Sequence, residues 1–175
     1  MKRKAYGRTF EVARTADTAR ARTASRLPEP DCLVGLGFRY WVLGRKTGRI
    51  EHWERAWSLY TGLFGLCGAR MAVGSLSCWV ASLARASLRE IEVLSGDGRN
   101  FCRDECLAVS MIAACQHNTC PAMRACAFAL IESSMIDGVI DEAHAFADIL
   151  TSLEQRLSPG SIVAAPIRPA GSGPH

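Results

Sequence analysis

The stretch Asp137-Gly-Val-Ile-Asp-Glu-Ala-His-Ala-Phe-Ala-Asp-Ile-Leu-Thr-Ser-Leu-Glu-Gln-Arg-Leu157 decides the fold class. Val139, Ala143, Phe146, Leu150, Leu153 and Leu157 recur at alternating intervals of four and three, which lines them up on one stripe of an α-helix. Asp137-Gly138 opens that helix, and Ser158-Pro159-Gly160 stops it. Upstream, Thr119 before Pro121 reads as an N-cap with an early-turn proline, starting a helix that runs to about Ser133.

Working outward, the spacing predicts a further helix from about Asp104 to Gln116, preceded by the break Ser95-Gly96-Asp97-Gly98. Before the break, a helix reaching about Ile91 turns Leu76, Trp79, Val80 and Leu83 inward. Gly65 and Gly68 provide a turn ahead of it. Another helix then precedes that turn, with Ile50, Trp53, Trp57, Tyr60 and Phe64 sharing one face. The first helix spans Cys32 to Leu43, capped by Asp31 and closed by Gly44. No segment alternates with period two between turn residues, so no sheet is expected. Six helices on short connections imply one all-α bundle over residues 31–157. Residues 1–30 read as a disordered basic tail and residues 158–175 as a disordered Pro/Gly-rich tail.

Charge is unevenly distributed. Residues 1–26 carry eight Lys/Arg against Glu11 and Asp17, whereas the remaining residues carry thirteen basic and fifteen acidic side chains. The bundle is thus mildly acidic, and nucleic-acid contact, where there is any, falls to the tail. The longest uncharged run, Met71 to Ala84, is shorter than the ~20 residues of a spanning helix, so a core helix and no membrane insertion are expected. The N-terminus lacks the apolar segment of a secretory signal. Together with eight cysteines, this suggests reduced thiols in a cytoplasmic protein. Eighteen Arg against three Lys suit a GC-rich bacterial source.

Five of the cysteines fall between Cys102 and Cys126, in the pattern C-x3-C-x8-C-x4-C-x5-C with His117 inside it. Thiolate sulfur and imidazole nitrogen suit tetrahedral zinc, which makes Cys102, Cys106, Cys115, His117 and Cys120 the candidate ligands. An ideal helix splits them, however. Cys102 and Cys106 share one face at the start of the fourth predicted interval, and Cys115 groups with His117 and Cys120 at its end, about 15–20 Å away. Two other readings stay open: thiol redox or soft-metal chemistry through Cys102/Cys106 or Cys115/Cys120, and plain packing of small apolar side chains.

The string Asp141-Glu142-Ala143-His144 matches a helicase box, but no phosphate loop accompanies it and the segment reads as helix. The surrounding residues, Ala125 to Leu150 with Ile136-Asp137-Gly138-Val139-Ile140-Asp141-Glu142 at their centre, resemble the hairpin of the TerB-like tellurite-resistance family. That resemblance implies an all-helical bundle in which acidic residues of the hairpin are linked to metal, here Asp137, Asp141 and Glu142. His144 lies on the flank of the last helix. No nucleophile, base and oxyanion set stands in motif context, so an enzyme is not the expectation. Taken together, the sequence points to a small helical regulatory or protein-interaction module with an unidentified protein partner. Zinc in the cysteine segment is its one candidate cofactor.

Overall fold

A computed structural model describes residues 29–162. The basic tail before residue 29 and the chain after residue 162 lie outside the described residues. Five helices and a short 3-10 turn make up the described chain: α1 (Pro30–Thr47), α2 (Ile50–Ala86), α3 (Arg103–Gln116), α4 (Cys120–Ile131), α5 (Asp137–Ser152) and the turn at Pro159–Ser161. No strand occurs among the described residues. The all-α bundle is as expected, with five helices rather than six.

The difference lies at Gly65. The second and third predicted helices run on as one 37-residue element, kinked where Gly65 adopts φ 67° and ψ −177°. An L side chain is strained in that region, so glycine is what lets the helix change direction without a loop. The kink also corrects the predicted face of the first half of α2. Tyr60 and Ala56 are buried, but Ile50 is 62% and Trp57 36% exposed. In the second half the expected inner face holds, with Leu76, Trp79, Val80 and Leu83 all buried.

Helix α1 does not stop at Gly44. It continues to Thr47, where Gly48 with φ 68° ends it, and the Trp53 indole lies directly over Gly44, where any Cβ would collide with the ring. Gly44 is therefore a packing glycine and not a terminator. Asp31 is no side-chain cap either; its Oδ2 accepts from the Ser161 hydroxyl at 2.7 Å, tying the start of α1 to the end of the described chain. Helix α5 likewise ends at Ser152, short of Leu157. Glu154 turns the chain with φ 61°, and Leu157 returns to the core at 2% exposure. Gln116 holds that return, donating to Gln155 O and accepting from the Leu157 N–H, each at 2.8 Å.

Helix α3 is the centre of the bundle. It packs on α1, α4, α5 and the 3-10 turn, and every residue from Leu107 to Cys115 is buried. The run Leu-Ala-Val-Ser-Met-Ile-Ala-Ala-Cys explains this, since small side chains on several faces let neighbours close in all round. Two residues of its first turn are buried too, and they are Asp104 and Glu105. Two carboxylates out of water require cations and donors. Arg39 from α1, itself 1% exposed, meets Glu105 through Nε at 2.6 Å and Nη2 at 3.1 Å. Its remaining N–H groups donate to the carbonyls of Gly96, Gly98 and Asn100, so all five donors are used. Glu105 also accepts from the Leu94 and Cys102 N–H groups. Arg89 donates to Asp104 at 2.6 Å, and Asp104 accepts from the Glu92 N–H at 2.8 Å. The long connection between α2 and α3 is thereby fixed at both edges by side chains of the helix that follows it.

Removing one member of the buried pair should therefore be costly. Arg39→Met and Glu105→Gln should each lower the unfolding free energy by about 3–5 kcal/mol, because each strands a buried charge or polar group. Joining Arg39→Met with Glu105→Gln should cost less than the two single effects added, since no uncompensated charge then remains. Urea denaturation of the four proteins measures this. A loss under about 1 kcal/mol in each single variant would show that the pair does not anchor the connection.

Candidate functional site

The five predicted zinc ligands occupy two separate ends of α3. Cys102 is the N-cap residue; its Sγ donates to Glu92 O at 3.3 Å, and the Glu105 side chain completes a capping box. Cys106, one turn on, is exposed, with Sγ 3.9 Å from Phe101 O. At the other end Cys115 is buried, Cys120 is exposed at the start of α4, and His117 closes α3. His117 Nε2 lies 2.9 Å from Leu157 O. A carbonyl only accepts, so that nitrogen carries the proton and is not open to a metal. Among the described residues no group of three or more His, Cys, Asp or Glu side chains is arranged to hold a metal ion. Helix α3 keeps the two cysteine pairs apart, as the helical spacing required.

The thiols themselves are free. Burial pushes Cys102 and Cys106 above their usual range, with the Glu105 carboxylate adding to the effect. Burial pushes Cys115 up to about 12, with Asp148 a lesser cause, and Cys126 up to about 11. Activated redox or catalytic thiols are shifted the other way, toward thiolate. Cys115 and Cys126 are core residues that happen to carry sulfur.

On the α4–α5 hairpin, Asp137 and Asp141 are exposed, while Glu142 and His144 are half-buried. Asp137 accepts from Arg124 of α4 at 3.1 Å, an exposed pair that links the two helices. The acidic residues carried over from the TerB-like resemblance therefore sit at the surface in the first turns of α5, where the helix dipole favours them.

Two of the open clefts among the described residues exceed 500 Å³. One, of about 520 Å³, lies between α1 and the first half of α2 and is edged by Glu51, Glu54 and Asp97. The one guanidinium on it, Arg55, is already paired with Asp97 at 2.9 Å, and Tyr40 donates to the same oxygen. The other, of about 550 Å³, lies on the outer side of α2 beside Leu66, Cys67, Arg70 and Met71.

This outer side is the feature that sequence reasoning missed. The 14-residue run from Met71 to Ala84 is matched by a second uncharged run from Ala56 to Ala69, so Arg70 is the single charge in 29 residues. Residues such as Leu76 and Trp79 account for the inner face only. Outward, Leu66 is 67% exposed and Met71 43%, with Cys67, Gly74 and Cys78 exposed between and beyond them. Of the exposed large apolar side chains among the described residues, half (Ile50, Trp57, Leu66 and Met71) belong to α2. By length and composition alone α2 also reaches what a bilayer-spanning helix needs, although 39% of its most apolar window is buried against the bundle.

The thiol environments predict a pH dependence with a definite sign. A thiol held neutral in the fold loses nothing while the unfolded chain is also neutral, below its usual pKa of 9.0. Above that, the unfolded thiolates are favoured, so stability falls from about pH 9 toward the folded values. Urea midpoints at about pH 8 and about pH 10 should show this loss, and Cys115→Ala/Cys126→Ala should lessen it, the other raised thiols keeping the remainder. An equal decline in that variant would assign the loss elsewhere. Compared with protein-family profiles, curated proteins and solved structures, the chain matches none.

Proposed function

We propose that this chain is a helical protein-interaction module that works through the outward face of α2. One observation carries the reading: 29 residues containing one charge form a helix whose outer half is open to solvent. A helix face meant for water is ordinarily charged or polar. An exposed face depleted of charge and carrying Leu66 and Met71 after the kink has the make-up of an interface core. The rest of the molecule supports this role by holding α2 rigidly. Its inner face is fixed on α1 and α5, so the outer face is presented ready-made, without an ordering cost on binding.

Zinc and thiol redox do not enter this reading, because no specific observation favours either. The acidic cleft edged by Glu51 and Glu54 is a weaker candidate, since its central cation is already neutralised by Asp97.

Cys67 and Cys78 lie on the proposed face and report on it directly. In dilute purified protein both should react readily with a maleimide. In intact cells, with a membrane-permeant maleimide and native expression, both should react severalfold more slowly, while Cys106, exposed at the start of α3, keeps its rate. Equal protection factors for all three cysteines would remove α2 as the binding face.

A further inference from the structure

We draw no further inference here: the strongest candidate, the outward apolar face of α2 after the kink, around Leu66 and Met71, belongs to the site already described, and nothing in the structure shows what covers it.

Discussion

The bidentate pairing of Arg39 with Glu105 is the constraint on which the rest of this bundle depends. Glu105 lies in the first turn of the central helix, wholly buried, and Arg39 comes from the middle of the first helix, 66 residues earlier. A pair so completely removed from water is a poor source of net stability, since desolvation offsets most of its attraction. Its consequence is geometric. Once both groups are inside, every remaining donor and acceptor must be matched, and the backbone of residues 94–102 supplies the matches. The connection between α2 and α3 has few core side chains of its own, yet it follows a defined path because Arg39 and Glu105 leave it no alternative. Phe101, with its ring 5.2 Å from the Arg39 guanidinium carbon, closes the site with an apolar and weakly attractive lid.

Burial of α3 explains the cysteines as well. A central helix that touches four other elements cannot carry large side chains all round, so alanine, serine and cysteine share those positions. Cys115 and Cys126 belong to that set, which accounts for their elevated pKa values without any chemical role. Cys102 and Cys106 cluster in sequence for another reason: they flank Asp104-Glu105, where a compact N-cap and an exposed first-turn position are required. Two local demands at the ends of one helix thus account for where these cysteines stand in the fold.

Much of the fold was legible because its signals are local. The stripe through Val139, Phe146 and Leu150, the inner face through Leu76, Trp79 and Leu83, and the limits of α3 and α4 all follow from spacing and capping. Apart from the local kink at Gly65, the failures share one cause, which is that a distant residue decides them. Gly44 reads as a terminator until the Trp53 ring is seen above it. Asp31 reads as a cap until Ser161 takes its carboxylate. Leu157 reads as part of α5 until Gln116 draws the chain back across the end of α3. Asp104-Glu105 is the plainest case: acids in a first turn are what a helix dipole favours at the surface, and nothing nearby in sequence announces that both are buried. For the proposed binding face the signal was present, since the uncharged interval is continuous across Arg70. A hydrophobic pattern cannot separate core from interface, however, because both exclude water by the same physics.

Helix α2 shows how the two uses of apolar surface are divided. Its inner residues are large and interlock with their neighbours, Trp79 lying between Phe38 and Phe146 at centroid distances of 5.4 and 5.8 Å. Its outer residues after the kink are small or flexible, a composition that packs closely against another helix but buries little area alone. A permanent interface would need more apolar area than this face offers. A face made for reversible contact has to remain soluble when vacant, and glycine, cysteine and serine around a single methionine meet that condition where a row of leucines would not. The kink at Gly65 limits the face further by turning the first half of α2, with Trp57, out of line with the second. The straight segment that remains is short, and that shortness sets the strength of whatever binds there.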